Sequence, residues 1–314
     1  VITARNLTHR YGERVALDKI NFTAEPSCIH GFLGPNGGGK STLFKILTTI
    51  MQPTEGTAVV AGYDVRSQPF EVRRKIGVVF QTPSLDDQLT VHENLLHQGH
   101  LYGLRGSSLR ARIDLLLEQF TLTDRRLERA KTLSGGLKRR AEVAKSLLHQ
   151  PDILLLDEPS TGLDPAARRD LITYLKQLRE EENLTCLITT HLMDEADECD
   201  RLTILNEGQI VAAGTPESLK NEIGGEVITI MADNPNSLVT TISNDAETDE
   251  NVTMSKNGTI RIESANGQEI ARNLWQRHGE TISSITIGRP ALDDVFFHAT
   301  GRSFQVEDAE TKSK

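Results

Sequence analysis

Four short, mostly apolar runs punctuate the first two thirds of the chain: Ser27-Cys28-Ile29-His30-Gly31-Phe32-Leu33, Ile76-Gly77-Val78-Val79-Phe80, Ile153-Leu154-Leu155-Leu156 and Leu184-Thr185-Cys186-Leu187-Ile188-Thr189-Thr190. Each has the length and near-continuous hydrophobicity of a buried strand, and each stops at a glycine or a polar residue. Residues 2–22 read as short strands around a turn at 10–14, and 57–62 as a further β-like stretch after the turn Gln52-Pro53-Thr54-Glu55-Gly56. Apolar residues at helical spacing mark Leu43 to Ile50, most of 83–150 and 166–182; within the second stretch, 94–102 and 108–120 are separate helices. The period changes after Gly214-Thr215-Pro216. Strand 226–231, helix 237–243, strands 252–255 and 259–264 joined by Asn257-Gly258, helix 268–278 and strand 281–287 give a βαββαβ order.

This pattern predicts an α/β protein of two domains. Residues 1–220 hold a mixed-sheet core with a helical subdomain at about 83–150; residues 225–302 form a small α+β, ferredoxin-like accessory domain; the polar tail 303–314 is expected to be disordered. A chain of 314 residues can bury two cores. Its formal net charge of −9 argues against a general nucleic-acid binder. No apolar run approaches the roughly 20 residues that span a bilayer, and Val1-Ile2-Thr3-Ala4-Arg5 has no signal-peptide organisation, so a cytoplasmic chain is expected. Cys28, Cys186 and Cys199 are widely separated and read as reduced structural thiols.

The chemistry starts between the first buried strand and the helix that follows. Gly34-Pro35-Asn36-Gly37-Gly38-Gly39-Lys40-Ser41-Thr42 fits the phosphate-loop pattern, and four of its nine residues are glycine. A polyphosphate needs several backbone N–H groups turned inward at once, which residues without a Cβ permit. Lys40 brings a cation to the β- and γ-phosphates, the Ser41 hydroxyl is a ligand for Mg²⁺, and the helix N-terminus adds partial positive charge.

Other strand ends carry complementary groups. Gln81 is positioned to meet Mg²⁺ or an attacking water. Asp157-Glu158 puts two carboxylates at the end of a buried strand, where they are costly without cations or a chemical role; Asp157 suits Mg²⁺ and Glu158 a general base. His191 ends the last run and reads as a γ-phosphate sensor, while Ser134-Gly135-Gly136 opens a helix as a second anion-binding N-terminus. Tyr11, in a turn ahead of the phosphate loop, offers a surface on which a base can stack. His92, His97 and His100 lack nearby ligands at metal spacing.

With the phosphate loop, Gln81, Leu133-Ser134-Gly135-Gly136, Asp157-Glu158 and His191 in this order, residues 1 to about 220 resemble the ATP-binding cassette (ABC) family, a P-loop NTPase fold. The resemblance implies that Tyr11 stacks on adenine, Gln81 is the Q-loop glutamine, Asp164 the D-loop aspartate and His191 the switch histidine. It also implies ATP hydrolysis with Mg²⁺ by a head-to-tail homodimer, each ATP held between one phosphate loop and the partner copy's Ser134-Gly135-Gly136. One departure is Leu137, where the family's signature carries Gln. The segments 81–90 and 290–302 resemble daunorubicin-resistance-type exporter ATPases, which implies an ABC-2 permease partner at the inner face of the membrane. A ribosome-acting family member would carry two cassettes, and a DNA-maintenance one a long coiled coil, whereas only 91 residues separate Thr42 from Ser134.

Overall fold

In the computed structural model, residues 1–244, 251–254, 258–301 and 304 are described. The chain divides into two compact units, Val1–Ile210 and Val211–Lys314. The first contains an antiparallel sheet in the order Arg14–Ala24, Ile2–Tyr11, Glu55–Val60, Tyr63–Asp64. Strands Ile2–Tyr11 and Arg14–Ala24 form a hairpin whose last pair is Tyr11 with Arg14. The second sheet runs Gln209–Gly214, Arg201–Asn206, Ile29–Leu33, Thr185–Thr190, Ile153–Asp157, Ile76–Val79.

The parallel register of that sheet decides where the chemistry goes. Leu33 is level with Thr190, Asp157 with Thr189, and Val79 with Leu156. Gly34, Gln81, Glu158 and His191 therefore leave the sheet at the same edge, the carboxyl ends of its strands. Every residue of Ile29–Leu33, Ile153–Asp157 and Thr185–Thr190 is buried, which explains why these strands read as continuous apolar runs rather than as alternation. Phe80 lies just beyond the ladder, which ends at Val79.

Helices Val91–Leu101, Gly106–Gln119 and Gly135–Ser146 build the helical part of the unit. The first begins three residues before the apolar spacing does, because Thr90 and Glu93 form a capping box that satisfies orphan N–H groups at its start. Val91, Leu95, Leu109, Ile113, Leu116 and Leu117 pack in one core with Leu154, Leu156 and Ile188 of the parallel sheet. Three short helices have too few turns for their periodicity to be read from sequence: Pro69–Lys75, Met193–Asp197 and Pro216–Ile223.

In the second unit the strand order is Asn251–Met254, Ile260–Ser264, Glu226–Ala232, Ile282–Gly288, antiparallel throughout, with helices Pro235–Asn244 and Gly267–His278 completing the βαββαβ succession. Ile228, Ile230, Ile260 and Ile262 face Leu238, Ile242, Ala271 and Leu274. The unit begins at Val211, ahead of the expected start at 225, and so includes helix Pro216–Ile223, which packs against helix Leu292–Thr300. Asn257 of the expected hairpin turn, Arg302 of the closing motif and, apart from Phe304, the expected disordered tail lie outside the described residues.

Candidate functional site

The loop after strand Ile29–Leu33 is held tightly by its surroundings. A Cβ on Gly34 would lie 2.2 Å from the Leu205 carbonyl oxygen, and one on Gly39 would lie 2.7 Å from that of Ala16. Gly37 and Gly39 take φ of 83° and 108°, a region L side chains rarely adopt. Gly38 donates its N–H to the Pro35 carbonyl at 3.1 Å and accepts from Gly208 N–H at 3.1 Å. Helix Lys40–Leu47 follows, its N-cap being Gly39, so the loop runs directly into a helix N-terminus.

Lys40 is 3% exposed. Its Nζ donates to the carbonyl oxygens of Gly34 at 2.6 Å and Pro35 at 3.1 Å, and lies 3.5 Å from Glu158 Oε1. Glu158 is the meeting point of the site. Its Oε2 accepts from Gln81 Nε2 at 3.0 Å and from the Thr161 hydroxyl at 3.4 Å, and lies 3.2 Å from His191 Nδ1. The Glu158 backbone stands at φ 45°, left-handed and uncommon for a residue with a Cβ, held there by bonds from its N–H to the Thr189 carbonyl at 3.0 Å and hydroxyl at 3.1 Å.

The two adjacent carboxylates are tuned in opposite directions. Burial alone would raise the Glu158 carboxyl, but His191 and Lys40 together outweigh it and hold the group below its ordinary range. Burial raises Asp157, more than the hydrogen bond from Thr189 and the more distant lysines offset. The Thr189 hydroxyl donates to Asp157 Oδ1 at 2.5 Å. Ser41, Gln81 and Asp157 supply hydroxyl, carboxamide and carboxylate oxygens, a hard donor set that fits Mg²⁺, and a cation would relieve the cost of keeping Asp157 ionised in its buried position.

A cleft of about 170 Å³ is lined by Tyr11, Asn36, Gly37, Gly39, Lys40, Ser41, Thr42 and Glu158, with Arg14 and Ala16 beside them. Tyr11 is 45% exposed, its hydroxyl donating to Met51 Sδ at 3.3 Å and its ring edge-on to His9 at 4.7 Å. Arg14 was not among the residues expected from sequence; its signal is the hairpin register, which sets it opposite Tyr11. Thr189 was missed too, although a hydroxyl in a fully buried strand has to find a partner.

Ser134, Gly135 and Gly136 do not line this cleft. Ser134 caps helix Gly135–Ser146 by accepting from Leu137 N–H at 3.4 Å. The positions a Cβ would take on Gly135 and Gly136 approach Leu163 and Ala167, in the segment around Asp164. Asp164 accepts from Ala166 and Ala167 N–H at 3.0 Å each, the N-cap of helix Pro165–Glu182. Leu137 packs its side chain against the core, so the departure at this position fills apolar space and leaves the preceding backbone free of it. A separate groove of about 520 Å³ is lined by Ile50, Phe80 and Tyr102 among others, with Tyr102 stacked on His149 at 3.8 Å. Among the described residues no helix is long and apolar enough to cross a membrane.

Residues 17–161 match the model of the ABC transporter family. The daunorubicin resistance ATP-binding protein DrrA3 of Streptomyces coeruleorubidus is 36% identical, over 98% of each chain. The Nod factor export ATP-binding protein I of Burkholderia lata is 37% identical, over 97% of this chain and 98% of its own. Among solved structures, the ATP-binding cassette MJ0796, a dimer in a post-hydrolysis state bound to ADP and Pi, aligns with a TM-score of 0.62 at 28% identity, covering 68% of this chain and 98% of that one.

Proposed function

Since the chain belongs to the ABC transporter family and is an ATP-hydrolysing subunit of that kind, we propose that it drives an export-type membrane transporter through ATP-dependent closure of a cassette dimer. The observation that carries this reading is the convergence of Lys40, Gln81 and His191 on one carboxylate, Glu158, beside the phosphate loop.

In the proposed cycle the β- and γ-phosphates lie along the backbone N–H groups of 34–42, with Lys40 as counter-charge and adenine on Tyr11. Glu158 takes a proton from the water whose oxygen attacks the γ-phosphorus; the bond to the bridging oxygen breaks, and ADP and phosphate are formed. His191 holds the γ-phosphate in line and Gln81 orients the water. Ser41, Gln81 and Asp157 would hold Mg²⁺, which when bound neutralises charge building on the phosphate oxygens. Ser134, Gly135 and Gly136 of a second copy would close over the γ-phosphate, so that ATP joins two chains and hydrolysis parts them.

The partner is an ABC-2 type permease, and the chain works as a peripheral subunit at the cytoplasmic face. The full-length similarity to proteins named for daunorubicin resistance and Nod factor export supports export, with an amphipathic drug-like molecule as the substrate class. The groove with exposed Ile50, Phe80 and Tyr102 offers the permease an apolar seat near the Gln81 segment.

The test is to trap Glu158→Gln with ATP in its native cells and identify what copurifies from solubilised membranes. The expected outcome is an ATP-dependent complex with a polytopic membrane protein, from a variant that dimerises but turns over more than about 100-fold more slowly. Copurification of ribosomes or DNA alone would overturn the transport reading, and near-normal turnover would overturn the role of Glu158.

A further inference from the structure

Helix Gly135–Ser146 carries the Ser134-capped glycines at one end and, on one face, three charged residues three positions apart. All three reach the segment containing Gln81. Arg139 Nη1 donates to the Phe80 carbonyl at 2.8 Å and pairs with Glu142 Oε2 at 3.0 Å. Glu142 Oε1 accepts the Ser84 N–H at 2.5 Å. Lys145 Nζ donates to the Ser84 carbonyl at 2.6 Å and to its hydroxyl at 3.1 Å. The residues on either side of Gln81-Thr82-Pro83 are thus pinned to a single helix, while Gln81 itself reaches across to Glu158.

Arg139 is 6% exposed and Glu142 3%. Such a buried ion pair adds little to stability over well-packed apolar residues, because desolvation offsets the attraction. What apolar side chains cannot do is hold a carbonyl and an N–H at fixed positions four residues apart.

We propose that Arg139, Glu142 and Lys145 are positioning residues that clamp the Gln81 segment and so couple the signature helix to the catalytic carboxylate. A displacement of the helix moves Gln81 relative to Glu158, so engagement of Ser134-Gly135-Gly136 by one ATP is felt at the other site of the dimer. This rests on the reading that Gln81 serves hydrolysis.

The test is a double-mutant cycle in the full-length chain, measuring kcat and KM for ATP with Mg²⁺ for Gln81→Ala, Glu142→Gln and the pair. Each single substitution is expected to lower kcat about tenfold and to change KM less than about twofold, and the pair to be no slower than Gln81→Ala alone. Multiplying losses, or an unaltered kcat in Glu142→Gln, would overturn the clamp while leaving Gln81 its role. An unaltered kcat in Gln81→Ala would remove that role, and the clamp with it. Lys145→Met keeps most of its packing and guards against misfolding of the Glu142 variant: its smaller loss should likewise vanish on the Gln81→Ala background, and a loss that persists there counts against the clamp.

Discussion

His191 Nδ1 lies 3.2 Å from Glu158 Oε2, on a carboxylate that burial would otherwise push upward. His191→Ala removes the leading influence that holds Glu158 low. In the proposed role as base Glu158 works ionised, so its activity is lost as pH falls through its pKa, and raising that pKa moves the acid limb of the rate profile to higher pH. We expect kcat to fall about 100-fold and the limb to shift upward; a pH–rate profile of the variant checks both.

Asp157 is the opposite case. Its folded pKa is raised, so the ionised form is disfavoured by folding, and that cost is present at pH 7 and fades as pH falls below the folded pKa. Asp157→Asn should raise the melting temperature at pH 7 without divalent metal by about 2 °C, with the gain disappearing in acid, while Mg²⁺-dependent ATPase falls more than about 100-fold. Melting curves at pH 4 and 7, read against turnover, test this exchange of stability for chemistry.

The Tyr11–Arg14 end of the first hairpin lines the cleft beside the phosphate loop. With adenine stacked on Tyr11 as proposed, a contact worth about 1–2 kcal/mol, Tyr11→Ala should lower nucleotide affinity about 5–30-fold, similarly for ATP and ADP. Arg14→Ala should weaken ATP more than ADP if its charge faces the phosphates, and both equally if it serves the base. Equilibrium titration with both nucleotides distinguishes these.

Gly34 has no room for a methyl group, since its Cβ would meet the Leu205 carbonyl oxygen at 2.2 Å and neither backbone is a flexible side chain that can swing away. Gly34→Ala should cost about 2 kcal/mol or more and abolish nucleotide binding, because the loop carbonyls that receive Lys40 move with it. A chemical-denaturation midpoint and a binding isotherm provide the check.

The local chemistry was legible in the residues themselves. Gly34 to Thr42 announces a phosphate site because glycine backbone freedom, a lysine and a hydroxyl are consecutive in the chain, and Ile153 to Glu158 announces a buried strand ending in charge because both properties are linear. The βαββαβ succession of the second unit is legible for the same reason, as alternating periods of two and 3.6 residues. Helices Pro69–Lys75 and Met193–Asp197 were not, being too short for a period to repeat.

What tertiary structure decided is who meets whom. Gln81, Glu158 and His191 are strand ends far apart in sequence, and only the parallel register with Leu33 level with Thr190 and Asp157 level with Thr189 brings them to one edge. The opposite shifts of Asp157 and Glu158 belong to neighbouring residues of the same chemistry; burial falls on both, but only Glu158 receives His191 and Lys40 at close range. Along the chain Arg139, Glu142 and Lys145 are only charges three residues apart on one helix; in space they hold Phe80 and Ser84. Sequence determined the kinds of groups and the elements that carry them, because these follow from local order; distances, burial and pairing are long-range properties that exist only once the sheet has closed its register.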